Sequence, residues 1–284
     1  MTVVLQVSDP HFGTHQPEVV RALLRLAAEQ APDVVVLSGD ITQRARRRQF
    51  AAAREFVDAL PPAAVVAIPG NHDIPLFDVM TRLVRPYRNY MRCFGAELEP
   101  VVDARHVRVI CVNTTRRYRH KHGEVSAAQV KRVEVLLRQA QPEQVRIVVV
   151  HQPVLAVRAS DAVNVLRGAE RAVRAWAAAG NDVIIGGHIH LPYVRTLREQ
   201  YPGLDSGCIT AQAGTAVSSR VRSGVPNSVN ILRCEVQSGA RRCVIERWDH
   251  SDALNAFELR ECHEYATGRA LQAAAGTTSP SPLA

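Results

Sequence analysis

Short runs rich in valine and isoleucine recur along this chain, and each is followed by a turn and then by a segment of helical character. Six such runs lie at Val3–Val7, Val34–Leu37, Val65–Ile68, Val107–Val112, Ile147–Val150 and Val183–Ile185. Nearly continuous apolar runs of this length are typical of strands that are covered on both faces. We therefore predict a layered α/β domain in which strands and helices alternate up to the last of these runs.

The segments between the runs predict helices, with Ser126 as the N-cap of the fourth: Pro17–Gln30, Arg46–Leu60, Leu76–Met91, Ser126–Gln139 and Ala169–Ala178. After His190 the pattern changes to strands and turns, at Tyr193–Leu197, Cys208–Val217, Val229–Val236 and Cys243–Trp248. We expect these later strands to form a second sheet that packs on the first, within one domain over residues 1–267. Residues 268–284 have the composition of a flexible tail.

Composition excludes several classes of protein. With 284 residues, of which 46% are hydrophobic and 22% charged, the chain is neither disordered nor fibrous. No apolar run approaches the roughly 20 residues that cross a bilayer, and Asp9 comes too early for a secretory signal. Six cysteines without CxxC spacing are expected to be reduced thiols, so we expect a cytoplasmic protein. The formal net charge of +8 does not choose among nucleic acid, anionic lipid and phosphorylated metabolites as partners.

Side chains that can bind metal follow five of the predicted strands. They are Asp9, His11, Asp40, Asn71, His151, His188 and His190. Because ligands gather at the carboxyl ends of strands in layered α/β folds, we expect these residues to converge in one crevice. Imidazoles and carboxylates without a thiolate suit manganese, iron or zinc. Seven groups exceed what one catalytic metal uses and fit two divalent metal ions that share a carboxylate.

In this order, the motifs Asp9-x-His11, Gly39-Asp40, Gly70-Asn71-His72-Asp73, His151 and Gly187-His188-x-His190 resemble the signature of the calcineurin-like metallophosphoesterases. The resemblance implies an α/β fold, a four-layer αββα sandwich with two mixed β-sheets. It also implies that Asp9, His11 and His190 hold one metal, that Asn71, His151 and His188 hold the other, and that Asp40 bridges the two.

By the same resemblance, the chain is expected to hydrolyse phosphodiesters by in-line attack of a hydroxide that bridges the metals. His72 would face the substrate beside Asn71 and donate a proton to the leaving group. Asp73 is expected either to orient an imidazole or to cap a helix ahead of Pro75. Arg222, in a loop that contains glycine and proline, is a candidate for holding the far end of the substrate, and the alternative is an arginine that only serves solubility.

Ile74 and Pro75 after the third motif, together with the compact size, resemble the bacterial class III cyclic-nucleotide phosphodiesterases, which implies a small substrate such as cyclic AMP or cyclic GMP. The main alternative is a broader phosphohydrolase that acts on glycerophosphodiesters, phosphomonoesters or lipid head groups. A nuclease is less favoured because aromatic residues make up only 5% of the chain. A non-catalytic scaffold is less favoured because every ligand position is kept. The sequence leaves a homodimer open.

Overall fold

A computed structural model describes residues 1–61, 63–204, 207–222 and 224–267. Strands β1 to β12 lie at Thr2–Val7, Val34–Leu37, Ala64–Ala67, Val101–Ala104, Val107–Cys111, Val145–Val149, Val183–Gly186, Tyr193–Thr196, Ile209–Gln212, Ser228–Gln237, Ala240–Ser251 and Ala256–Thr267. Helices α1 to α6 lie at Pro17–Gln30, Arg47–Asp58, Val79–Val84, Arg88–Phe94, Ala127–Arg138 and Ala169–Ala178. The expected tail, residues 268–284, lies outside the described residues.

The strands form two six-stranded sheets, and each sheet mixes parallel and antiparallel pairs. The first sheet has the order β12-β11-β10-β1-β2-β3, and the second has the order β4-β5-β6-β7-β9-β8. In the first sheet β1, β2 and β3 run parallel, while β10 to β12 are antiparallel to their neighbours. In the second sheet β5, β6, β7 and β9 run parallel, and the edge strands β4 and β8 are antiparallel.

Buried apolar side chains form three clusters, and each cluster lies between two layers of the fold. One cluster of buried side chains joins the two sheets face to face and includes Val4, Val36, Ile147 and Ile185. A second cluster packs α1 and α2 on the outer face of the first sheet, and a third packs α5 and α6 on the outer face of the second sheet. The strands are therefore covered on both faces, and the fold is the expected αββα sandwich with two mixed sheets.

The later strands do not form a sheet of their own, so that expectation is wrong. β8 and β9 complete the sheet that contains β4 to β7, while β10 pairs antiparallel with β1 and carries β11 and β12 with it. The reason is that β1 lies inside its sheet and uses one edge for β2, which leaves the other edge for a returning strand. The change of sequence pattern after His190 therefore reflects how the strands are connected along the chain, and it does not show which sheet they join.

The helix expected over Leu76–Met91 is also interrupted. It is replaced by the short helices α3 and α4, and the break falls at Arg85 and Pro86. Proline lacks a backbone N–H and disfavours the helical conformation of the residue before it.

The N-cap at Ser126 is confirmed, because its side chain accepts a hydrogen bond from the backbone N–H of Gln129. All six cysteines are free thiols. Every helix in the described part of the chain is too short or too polar to cross a bilayer.

Candidate metal centre

The loops that follow β1, β2, β3, β6 and β7 carry the residues predicted to bind metal. Six of the seven fall into two clusters of ligand atoms, and Asn71 lies after β3 next to His72, whose backbone N–H donates to Asp40. Parallel neighbours such as β1 and β2, or β6 and β7, end at the same edge of their sheet. The convergence predicted from the strand ends is therefore what the fold produces.

Asp9, His11 and His190 form the first cluster, in which one ligand atom from each residue lies within 4.8 Å of the others. Nε2 of His190 lies 3.3 Å from Oδ1 of Asp9, and Nε2 of His11 lies 3.9 Å from the same oxygen. The two Nε2 atoms are 3.1 Å apart. Two imidazole nitrogens and one carboxylate oxygen in this arrangement are a donor set that suits a divalent transition metal.

Asp40, His151 and His188 form the second cluster, and Asp40 connects it to the first. Oδ2 of Asp40 lies 3.4 Å from Nε2 of His151 and 4.0 Å from Nε2 of His11. Its other oxygen, Oδ1, accepts a hydrogen bond of 2.7 Å from the backbone N–H of His72. One carboxylate oxygen therefore lies between the two groups of imidazoles, where it can serve both.

Backbone carbonyls orient two of the imidazoles. Nδ1 of His151 donates to the carbonyl of Ser38 at 2.9 Å, and Nδ1 of His190 donates to the carbonyl of Arg220 at 2.6 Å. An imidazole that donates from Nδ1 presents the lone pair of Nε2 to its cluster. The loop that includes Arg220 thus supports the site through its backbone.

The Asp9 carboxylate is oriented in a similar way. Its Oδ2 accepts hydrogen bonds from the Ser8 hydroxyl at 2.6 Å and from the backbone N–H of His188 at 2.9 Å. Among the described residues, no hydrogen-bond partner of Oδ1 is found, and this oxygen lies beside the imidazoles of the first cluster. The loops after β1 and β7 are therefore joined through the carboxylate itself.

Several buried polar atoms at the site have no hydrogen-bond partner among the described residues. They include Oδ1 of Asp9, Oδ1 of Asn71, Nε2 of His151 and both ring nitrogens of His188. A buried polar atom without a partner costs free energy, so such atoms are rare in a finished fold. Their concentration around Asp40 fits residues that are arranged to bind cations, and the donor set matches a pair of divalent metals.

The titratable side chains of the site differ in their charge. Burial lowers the pKa of His11 and of His188 to about 3, which keeps both imidazoles neutral. Burial would raise the pKa of Asp9, but the adjacent His190 outweighs it and holds that pKa well below its ordinary value. Burial also opposes ionisation of Asp40, yet the charges of His151 and His72 hold its pKa well below the ordinary value. Both carboxylates are therefore anionic.

His151 carries the opposite shift. Burial would lower its pKa, but the Asp40 carboxylate raises it to about 9, so without a metal the ring holds a proton at neutral pH. The pKa of His190 is raised as well, because its interactions with Asp9 outweigh the effect of burial. The proton on His151 occupies a position that a metal ion would take.

Five of the site residues have a left-handed backbone, with positive φ angles: Asp9 at 49°, His11 at 43°, Asp40 at 47°, His188 at 71° and His190 at 56°. This region is uncommon for residues other than glycine and costs of order 1–3 kcal/mol per residue. The surrounding hydrogen bonds maintain the conformation. Strain of this kind clusters at functional sites, where it directs side chains that a regular strand end would point elsewhere.

Two glycines of the motifs allow the loops to approach each other closely. A Cβ at Gly187 would lie 2.2 Å from Oδ2 of Asp9, and a Cβ at Gly70 would lie 2.1 Å from the backbone nitrogen of Asp40. Neither distance is tolerable for a real side chain. These glycines bring the loops after β7 and β3 against the two carboxylates.

Asp73 has neither of the roles expected from the sequence. Its buried carboxylate accepts hydrogen bonds from the backbone N–H groups of Ile41, Thr42 and Gly70 and from the Thr42 hydroxyl. It therefore joins the loop after β2 to the loop after β3. Burial, reinforced by the charge of Asp40, raises the pKa of Asp73 to about 6.

His72 lies at the mouth of the site, beside the first cluster. Its ring packs edge to face against His11, with the ring centroids 4.9 Å apart, and its Nδ1 donates to the carbonyl of Gln43 at 3.0 Å. It lines a small cavity together with Gln43, Arg44, Asn71, Ile74, Leu76 and His120. Sequence reasoning missed Gln43, Arg44 and His120, because no strand-end motif marks them and only the fold brings residue 120 to residue 72.

The structure does not bring Arg222 into the clusters. Its guanidinium forms an ion pair with Asp161, with an N–O distance of 3.1 Å, and donates to the carbonyl of Ile189 at 3.2 Å. The neighbouring Arg220 is the loop arginine that reaches the site, where it donates to the side chain of Gln43 at 2.9 Å.

A two-sheet αββα sandwich with paired histidine and carboxylate clusters at its strand ends defines the metallophosphoesterase class. The model of the calcineurin-like phosphoesterase family matches residues 2–192, which is more than half of the chain, and the chain belongs to this family. Among curated proteins, none matches the chain.

Solved structures share the fold at low sequence identity. A purple acid phosphatase from yellow lupin seeds, Lupinus luteus, superposes with a TM-score of 0.68 at 14% identity over 93% of this chain and 53% of its own. This chain thus spans about half the length of that phosphatase. Vacuolar Protein Sorting 29 from Cryptosporidium parvum superposes with a TM-score of 0.50 at 13% identity over 94% of this chain and 98% of its own. Because one neighbour is named as a phosphatase and the other as a sorting protein, these likenesses establish the fold and not the reaction.

Proposed function

We propose that this protein is a metal-dependent phosphoester hydrolase that cleaves small phosphodiesters. The observation that supports this most directly is the position of Asp40, whose Oδ2 lies within 4.0 Å of imidazole nitrogens from both clusters. In the proposal, Asp9, His11 and His190 hold one divalent metal, Asn71, His151 and His188 hold the other, and Asp40 contacts both. Manganese, iron and zinc are the metals that this donor set suits.

Two divalent cations in these positions would supply positive charge for the phosphoryl oxygens and lower the pKa of water. The chain supplies the rest. His151 donates to the Ser38 carbonyl, His190 donates to the Arg220 carbonyl, and the Ser8 hydroxyl donates to Asp9. These hydrogen bonds fix the orientation of the three side chains, so the site would need little rearrangement when substrate binds.

His72 is proposed as the general acid. Its Nδ1 is occupied by the Gln43 carbonyl, so its Nε2 is the atom that can carry a proton to the leaving alkoxide. Its backbone N–H holds Asp40 at the same time, which ties the position of the acid to the position of the bridging carboxylate. Asn71, the preceding residue, is proposed to contact the substrate as well as the metal.

A 3′,5′-cyclic nucleotide is the substrate that we favour within this class, on the resemblance carried by the motif that ends at Pro75. The alternative is a broader phosphohydrolase whose substrates are glycerophosphodiesters, phosphomonoesters or lipid head groups. Either class of substrate would use the same two clusters. The choice between the two classes therefore depends on the residues around His72, such as Arg44 and His120.

A steady-state comparison tests the proposal. Protein reconstituted with manganese is assayed with cyclic nucleotides, glycerophosphodiesters, phosphomonoesters and single-stranded DNA, and kcat/KM is ranked. We expect the highest value for a small phosphodiester, with cyclic nucleotides first. A preference for single-stranded DNA that weakens steeply with salt would replace the proposal with a nuclease. Failure to hydrolyse any member of the panel, in protein with full metal content, would favour a scaffold.

A further inference from the structure

One helix near the site presents its apolar side chains to solvent. A helix on the surface of a folded domain normally buries its apolar side. None of the residues of α3 is buried, and with the preceding Phe77 its apolar side chains form a continuous exposed set. We call this set the α3 patch, and it consists of Phe77, Val79, Met80, Leu83 and Val84. Phe77 is 79% exposed, Met80 71% and Val84 67%.

Specific hydrogen bonds hold the patch in place. The Arg82 guanidinium, which extends from α3, donates to the carbonyls of Pro75, Arg117 and Arg119. Arg117 returns the contact by donating to the carbonyl of Leu83 at 2.7 Å. The loop over residues 116–121 is thus fixed beside α3. The loop thus contacts α3 through the Arg82 side chain and the Leu83 carbonyl, and it leaves the apolar side chains of the patch exposed.

Basic side chains surround the patch. The guanidinium of Arg44 lies 5.7 Å above the ring of Phe77, and the arginines that follow it line the same cavity as that ring. The exposed cations of this rim are Arg44, Arg46, Arg47, Arg85, Arg117 and Lys121. Two carboxylates lie in the same segments, Asp78, which caps α3 through Thr81, and Glu124, which pairs with Arg119, and the six exposed cations outnumber them. The surface is apolar at its centre and positive at its edge.

The same surface borders the candidate metal centre. Leu76, which directly precedes the patch, lines the small cavity that also contains Asn71, His72 and Arg44. A layer bound to the α3 patch would therefore lie against the mouth of the site.

We propose that the α3 patch and its basic rim dock onto an anionic lipid bilayer. Apolar side chains on a short helix can enter the boundary between head groups and acyl chains, while arginines pair with head-group phosphates. A second copy of this chain fits the surface poorly, because a two-fold contact would place the arginine rim of one copy against the same rim of the other. The proposal concerns binding and is independent of catalytic turnover.

Vesicle binding by the full chain tests this proposal. The protein is sedimented with vesicles of phosphatidylcholine alone and with vesicles of equal parts phosphatidylcholine and phosphatidylglycerol. We expect binding to the anionic vesicles only, with affinity that falls as salt is added. Equal binding to both kinds of vesicle, or to neither, would overturn the proposal.

Matched variants separate the patch from the general charge of the protein. The double variant Met80→Ser/Val84→Ser is expected to weaken vesicle binding by about tenfold or more, since two apolar side chains no longer enter the interface. Arg85→Glu is expected to weaken it as well. The controls are Val135→Ser on α5 and Arg260→Glu on β12, which remove an exposed apolar side chain and an exposed cation elsewhere. Equal losses in variants and controls would contradict the proposal.

A fluorescent probe measures insertion directly. Phe77→Trp is expected to give an emission that shifts to shorter wavelength when anionic vesicles are added, while Val135→Trp is expected to give no shift. Hydrolysis of a water-soluble phosphodiester by Met80→Ser/Val84→Ser should stay at the level of the parent protein, so a failure of the proposed hydrolase and a failure of docking are distinguishable. If light scattering shows a dimer that this double variant dissociates, the surface belongs to a second copy and the membrane proposal is wrong.

Discussion

At the scale of single residues, Asp40 is the side chain that connects the two candidate metal sites. Its Oδ2 is near His11 of one cluster and His151 of the other, and its Oδ1 holds the backbone of His72. We expect Asp40→Asn to lower the content of both metals and to reduce turnover by more than about 100-fold, the upper end for losing an outer partner of a metal ligand. Elemental analysis and a phosphodiesterase assay measure the two effects. Near-normal activity with two metals bound would refute the bridging role.

The role of His72 is separable from metal binding. We expect His72→Ala to keep its metals and to lose about 10²- to 10⁴-fold in kcat on a substrate with a poor leaving group. A substrate with an acidic phenol as leaving group should lose much less, because it needs no proton. His106→Ala, which changes a histidine that bonds to Thr2 on β1, is the control. An equal loss on both substrates would show that His72 is not the acid.

At the scale of elements, the close approach of the loop after β7 to the loop after β1 is essential. We expect Gly187→Ala to destabilise the fold by about 1–3 kcal/mol and to weaken metal binding, because its Cβ would collide with Asp9 and Ser8. Gly207→Ala is the matched control, because a Cβ there would meet no atom of the described part of the chain within 4 Å. Thermal unfolding and metal titration measure both effects, and equal behaviour of the two variants would contradict this account.

Much of the element order could be predicted from the sequence, because buried strands produce apolar runs that are easy to recognise. The bounds of α1, α6 and β2 match the prediction. The short β4 and the polar β12 were missed, since an edge strand needs no continuous apolar run. The pairing of β10 with β1 could not be predicted, because strand order depends on contacts between distant segments.

The residues of the site could also be predicted from the sequence, but the way in which they are held could not, because it depends on contacts between distant segments. Motifs at strand ends identified the residues that form both clusters. The left-handed backbone of Asp9 and His188, the tether formed by Asp73, and the pairing of Arg222 with Asp161 depend on tertiary contacts and leave no local pattern. The sequence therefore indicates which residues come together, but not which contacts hold each of them in place.

At the scale of the whole molecule, we expect metal uptake to be coupled to pH through His151. Because the Asp40 carboxylate raises the pKa of His151 to about 9, a metal must displace a proton there at neutral pH. We expect metal affinity to fall by about tenfold for each pH unit between about pH 8 and pH 6, with proton release on binding. Calorimetry in two buffers with different heats of ionisation measures that release. Binding without proton release would show that His151 is not a ligand.

The raised pKa of His151 also affects the stability of the metal-free fold, which falls as the pH rises, whereas metal affinity increases. A folded-state pKa of about 9, above the ordinary 6.5, stabilises the metal-free fold fully below about pH 6.5, and this contribution is lost as the pH rises through 9. The gain in Tm that saturating metal produces should therefore grow as the pH rises through this range.

We propose that the two sheets bring their strand ends together to hold a pair of metal ions. A crystal grown with manganese and measured by anomalous scattering tests it most directly. We predict two peaks, one among Asp9, His11 and His190 and one among Asn71, His151 and His188, roughly 3.5–4 Å apart with Asp40 in contact with both. A single peak, or peaks away from these side chains, would contradict the claim.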